Sequence, residues 1–150
     1  WFIEALSMRQ ITLRKTMLAI MKRQDNFLRS GDVLDLKPMI LKDIADDTGL
    51  DISTISRVSN SKSVQTDYGV YPIKYFFGDG MISSSGEEVS TRAIKQKLSE
   101  LITQEDKQKP LTDEELASKL SDEGYSLARR TIAKYREALG IPIARLRRNI

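Results

Sequence analysis

A chain of 150 residues, 40% hydrophobic and 30% charged, can build one mid-sized domain or two small ones. It contains no cysteine and no histidine, which removes disulfide frameworks, thiolate metal sites, the commonest general base and the commonest metal ligand, and so favours a binding module over an enzyme. The net charge of +3 conceals a segregation, with seven basic groups against Glu137 alone over residues 129–148; that is the footprint of a polyanion partner unless it is only a solvated basic face.

Residues 1–29 predict one long helix. Ile3, Leu6, Leu13, Met17, Ile20 and Phe27 recur in steps of three and four, with Gln10 and Gln24 in the remaining slots. Core packing is the expected use of that stripe, and a partner-binding face is compatible with it. No leader is read here, and the opening Trp1 suggests part of a longer chain. Ser30-Gly31-Asp32 stops the helix, and Lys37-Pro38 predicts the start of the next. Ala45, then Gly49, then Ile55 and Val58 at ten and thirteen positions after the alanine have the spacing of a helix-turn-helix. Asp51 is the expected N-cap of its second helix, whose outward face carries Ser53, Thr54, Ser56 and Arg57. Small hydroxyls beside one arginine suit phosphate contact better than base reading.

Thr66-Asp67-Tyr68-Gly69 reads as a turn, and Tyr71 to Phe77 as a short extended segment closing the first core. Stacking of single-stranded bases on those rings is the alternative. Gly78-Asp79-Gly80 and Ser83 to Gly86 predict a flexible linker. The expected organisation is therefore a first domain over 1–82, a linker over 83–88 and a second domain over 89–150. No run of about 18 apolar residues occurs, so no membrane partner is expected.

In the second domain, Ile94, Leu98, Leu101 and Ile102 predict a helix over 89–103. Thr112 and Glu115 have capping-box spacing, and Leu111 with Leu116 that of a hydrophobic staple. That helix ends near Ser121 to Gly124. Ser126 is the expected cap of a last helix over 127–139, which Gly140-Ile141-Pro142 closes. The expected class is all-α: two small helical domains, each with a helix-turn-helix.

On the last helix Ala128, Ile132, Tyr135 and Leu139 form the expected inward face. Arg130 and Lys134 share one outward ridge, and Arg129, Ala133 and Arg136 the next. Arginines in a first helical turn oppose the helix dipole. They make sense if that end meets guanine edges, whose O6 and N7 acceptors match a guanidinium, with small Ala133 allowing close approach to a groove. Lys134, Arg136, Arg145, Arg147 and Arg148 are expected at phosphates, and Tyr135 between core and backbone contact.

The stretch Ala128-Arg129-Arg130-Thr131-Ile132-Ala133-Lys134-Tyr135-Arg136-Glu137 resembles the RpoN box of bacterial sigma-54 factors, with Ile132 where the usual form has Val. Pro110 to Asp113, Leu139 to Pro142, Thr54 to Val58 and Lys74 to Phe77 resemble the same family, so the likeness runs over essentially the whole chain. The resemblance implies a promoter-specificity factor with no catalytic residue, metal or cofactor, in the cytoplasm on the nucleoid. Its box helix, Thr131 included, would read an upstream GG-containing element, with the first helix-turn-helix near a downstream GC-containing element. The implied partners are double-stranded promoter DNA, core RNA polymerase, and an ATP-hydrolysing enhancer-binding activator acting on an amino-terminal region outside this chain. Two unlike modules suggest a monomer on an asymmetric site. A conventional repressor with two helix-turn-helix modules would instead dimerise on a palindrome. A carboxylate-metal nuclease would rest only on Asp43, Asp46 and Asp47 or on Asp113, Glu114 and Glu115, where helices ordinarily carry acids.

Overall fold

In this computed structural model, which describes residues 1–149, helix α1 (Phe2–Arg23) stops at Gln24 and α2 (Asp25–Ser30) follows at once. The single long helix expected over 1–29 is thus a pair, and Gln24 accounts for the break. It is wholly buried. Its amide nitrogen donates to the carbonyls of Lys37 (2.8 Å) and Phe76 (3.2 Å), and its oxygen accepts from the Lys37 N–H (2.9 Å). A buried amide needs such partners, and these hold three remote stretches together. The expected inward stripe holds for Ile20 and Phe27 but not for Ile3 (77% exposed) or Leu6, which are exposed near the start of α1.

Lys37-Pro38 does not open a helix. Met39 pairs with Gly78 through two backbone hydrogen bonds (3.0 and 2.9 Å), which keeps this stretch extended. Helix α3 (Leu41–Thr48) begins later, its N-cap residue Ile40 donating its N–H to the Asp43 carboxylate (2.9 Å). Gly49, at φ 70°, makes the tight turn into α4 (Ile52–Ser61), and Ile44, Ala45 and Ile55 close the angle between the helices. Asp51 is the N-cap of α4, with its carboxylate taken by the Ser53 hydroxyl.

Two small sheets add to the helices. β1 (Ser63–Thr66) and β2 (Gly69–Pro72) pair antiparallel around an Asp67-Tyr68 turn, in the register Ser63 to Pro72. The aromatic run that follows is a single 3-10 turn, Ile73–Phe76, rather than an extended segment. Phe27, Tyr71, Tyr75 and Phe76 pack ring on ring, with centroids as close as 4.9 Å, so these rings serve the core. The segment expected as a flexible linker joins β3 (Gly80–Ile82) to its partner β4 (Glu88–Ser90). Ser83 N–H donates to Glu87 (2.8 Å) and Gly86 N–H to Ser83 (3.0 Å), so Gly and Ser here supply a hairpin turn.

The chain divides into two units, Trp1–Gly80 and Met81–Ile150. In the second, Ser90 caps α5 (Thr91–Thr103) by accepting from the Ala93 N–H (3.1 Å). Ile94, Leu98 and Ile102 are buried as the stripe requires, Leu98 and Ile102 with Leu116, Leu120 and Ile132, and Ile94 with Val89 and Ala93. Thr112 and Glu115 form the capping box of α6 (Asp113–Asp122), at 2.8 and 3.3 Å, and the stapling Leu111 and Leu116 share one core. Helix α7 is Arg129–Ala138, with Ala128 rather than Ser126 at its cap position. Tyr125 and Leu127 enter the core, which holds the chain extended past Ser126 and delays the helix. A short α8 (Ala144–Arg147), not expected from sequence, follows.

Candidate nucleic-acid interface

Helix α7 is held by one deeply set ion pair. Arg136 is 3% exposed, and its Nε and Nη2 donate to the Asp113 carboxylate at the start of α6 (2.9 and 3.2 Å). Its Nη1 donates to the Ile141 carbonyl (2.8 Å). That carbonyl is in reach because α7 ends on Gly140 at φ 71°, with the N–H of Ile141 returning to the Arg136 carbonyl (3.1 Å). The bond to Asp113 raises the Arg136 pKa, against a smaller opposing effect of burial. Arg136 therefore fastens α7 to α6 and is not at the surface for a phosphate, as had been expected.

Arg147 is corrected in the same way. Its side chain is 6% exposed and forks onto Glu105 (2.8 and 3.0 Å), with further bonds to the carbonyls of Pro142 and Leu111 (2.6 Å each). Glu105 is itself fully buried and also accepts from Leu111 N–H (2.9 Å) and Lys107 Nζ (3.2 Å). Burial pushes the Glu105 carboxyl up, but the bonds from Arg147, Leu111 and Lys107 outweigh it and hold the pKa at about 2. Glu105 was not singled out from sequence and Asp113 was not read as an arginine's partner, because the two arginines lie 42 and 23 positions away.

With those two arginines inside, the outward face of α7 carries Arg129, Arg130 and Lys134, all exposed, with Thr131 and Ala133 half-buried beside them. Arg129 and Arg130 sit in the first turn and, with Ala128, Ala133 and Asp113, line a shallow depression. Arg129 meets Glu114 at 3.4 Å, an exposed pair worth roughly 0–1 kcal/mol and easily exchanged for another anion. Of the expected inward face, Ile132 is fully buried and Tyr135 half-buried, whereas Ala128 and Leu139 are exposed. Lys95 of α5 lies 5.5 Å from the centre of the Tyr135 ring, which engages that face of the ring within the domain. Arg145 and Arg148 are exposed.

In the first unit Ser53 and Arg57 are exposed on α4, and Thr54 and Ser56 are half-buried. Thr54 and Arg57 line a groove with Leu6, Arg9 and Lys62. Among the described residues no group of three His, Cys, Asp or Glu is placed to hold a metal, and no helix is long and apolar enough to cross a membrane.

The family model described as "Sigma-54, DNA binding domain" matches residues 1–149. The RNA polymerase sigma-54 factor of Acidithiobacillus ferridurans is 43% identical over 150 residues, all of this chain and 31% of that protein. That of Pseudomonas putida is 44% identical over 141 residues, 94% of this chain and 28% of that protein. The chain thus spans less than a third of the length of these relatives. Among solved structures, Aquifex aeolicus sigmaN bound to promoter DNA superposes with a TM-score of 0.70 at 38% identity, covering 98% of this chain and 44% of that one.

Proposed function

The chain belongs to the sigma-54 DNA-binding-domain family, and from that premise we propose that it is the promoter-reading part of a sigma-54-type transcription initiation factor. Helix α7 enters the major groove by its first turn and reads the guanines of an upstream GG-containing element. The α3–α4 pair acts as a helix-turn-helix near a downstream GC-containing element and mainly positions the duplex, through Ser53, Thr54, Ser56 and Arg57. Two unlike modules read one asymmetric promoter as a monomer. The larger protein binds core RNA polymerase and answers to an ATP-hydrolysing enhancer-binding activator.

The observation that carries this reading is the division of labour on α7. Arg136 is consumed inside the domain, while Arg129 and Arg130 stand exposed at the end of the helix that a recognition helix turns toward base edges. A good bidentate contact from arginine to guanine discriminates by ~1–3 kcal/mol. Arg130→Ala should therefore erase most of the preference for a GG duplex over a mutated one, with Arg129→Ala the weaker second. Lys134→Ala should weaken both probes alike and make the salt slope shallower by about one unit. Affinity for both duplexes at several salt concentrations tests this. If both arginine variants lost affinity equally on every probe, α7 would be a phosphate clamp and the reading would fail.

A further inference from the structure

We propose that the buried Glu105–Arg147 bridge is a positioning device: it folds residues 142–149 back beside the α5–α6 loop, so that Lys109, Arg145 and Arg148 make a second contact with duplex phosphates. This rests on the reading of α7 given above.

Lys109, Arg145 and Arg148 line one open depression together with Pro110, Ala144 and Asp106. All three cations are exposed, and none forms an ion pair among the described residues. The Asp106 carboxylate accepts from Gln108 N–H (2.9 Å) and offsets only part of their charge. Like charges gathered with less counter-charge than they need repel, and an external polyanion relieves that. An open, solvated surface suits a duplex backbone better than a small anion, which needs an enclosing site.

The distance to α7 fits the same partner. Pro110 borders this depression, and Asp113 borders the one that holds Arg129 and Arg130. Three residues reach at most about 11 Å. The major groove is roughly 12 Å wide, with phosphates along its edges. The two depressions are thus bordered by residues no further apart than one such step along the chain, a separation that a groove-edge strand can span. Of the acids at the α6 entrance, Asp113 is held by Arg136, while Glu115, in the capping box, feels Lys109 and offsets part of its charge.

The bridge is the side-chain tie that returns Arg145 and Arg148 to the α5–α6 loop. Helix α8 buries no apolar residue, and Leu146 is 67% exposed. The return of this segment depends on the four bonds of Arg147 and on Asn149 N–H to the Lys107 carbonyl (2.9 Å).

The test compares salt slopes and GG preference on matched and mutated duplexes. The triple variant Lys109→Ala/Arg145→Ala/Arg148→Ala should make the slope shallower by roughly two to three units, each phosphate contact being worth ~0.9, and leave GG preference intact. Arg147→Met should also make the slope shallower on the native background, yet change nothing further on the triple background. A further loss there of about one unit would make Arg147 a phosphate contact itself and overturn the positioning role. An unchanged slope in the triple variant would overturn the second contact. Should Arg147→Met lose the folded state, Arg147→Lys, which keeps the charge but not the fork, replaces it in the same comparison. Absence of GG preference in the unmodified chain, with the slopes behaving as described, would defeat the reading of α7 and leave this contact standing.

Discussion

Arg130 and Arg136 lie six positions apart on one helix and serve opposite ends. Arg130 faces solvent, whereas the Arg136 side chain is 4% exposed and saturated by Asp113 and Ile141. Arg147 repeats the second pattern on Glu105. Removing one partner of such a bridge strands a buried charge, which typically costs ~3–5 kcal/mol, far more than loss of an exposed pair. The Glu105 bridge also makes stability depend on pH in a definite window. Folding lowers the Glu105 pKa from 4.5 to about 2. A depressed carboxylate contributes its full stabilisation above the unfolded value and loses it as pH falls through the folded one. The contribution, on the order of 3 kcal/mol, is therefore complete above about pH 5 and gone near pH 2. Urea unfolding of the native chain and of Glu105→Gln, followed from pH 7 to pH 2.5, checks this. The native curve should fall more steeply between pH 4.5 and 2.5, and parallel curves would refute the assignment.

At the scale of elements, what could be read in advance was local. The Thr112–Glu115 box, the Ile94, Leu98 and Ile102 stripe, and the Gly49 turn each complete their signal within a few residues, and each stands in the structure. Three misreadings involve a partner far along the chain. Gln24 breaks α1 because of Lys37 and Phe76, Met39 stays extended because of Gly78, and Arg147 turns inward because of Glu105. Charge and period do not carry that information. On α7, the exposure of Arg129, Arg130 and Lys134 was legible because helical spacing sets their face, while the burial of Arg136 was not, since its depth depends on Asp113. Two glycines show the same contrast and offer a test. Gly31 and Gly49 both sit at φ 70°, but a Cβ at Gly31 would come within 2.4 Å of the Tyr68 ring, whereas Gly49 opens onto free space. The Tyr68 hydroxyl donates to the Arg29 carbonyl (2.6 Å), so the ring does not move away freely. Gly49→Ala should cost only the backbone strain of ~1–2 kcal/mol, and Gly31→Ala clearly more. Equal losses in thermal unfolding would show that the Tyr68 contact is not rigid.

Among the described residues each of the two units carries its own hydrophobic packing. In the first unit one cluster gathers Ile20, Phe27, Ile44, Ile55, Ile73 and Phe76; in the second, Leu98, Leu116, Leu120 and Ile132 form one cluster and Val89, Ala93 and Ile94 another, both packed by the partly buried Tyr125, Leu127 and Tyr135. Between the first unit's cluster and α5 the chain crosses the β3–β4 hairpin, whose residues 84–87 are exposed and hold no buried side chain. Exposed tips with small residues are where proteases cut first. Limited proteolysis should therefore nick 83–87 before any helix, and the two fragments should each keep helical circular dichroism, since each retains its own core. The fragments should then divide the recognition. The C-terminal one, with α7 and the Lys109, Arg145 and Arg148 cluster, should keep its preference for a GG duplex. The N-terminal one, whose α4 face offers Arg57 among hydroxyls, should bind duplexes weakly and without base preference. A first cut within 94–102, or strong base discrimination by the N-terminal fragment, would show that the two units do not divide folding and recognition in this way.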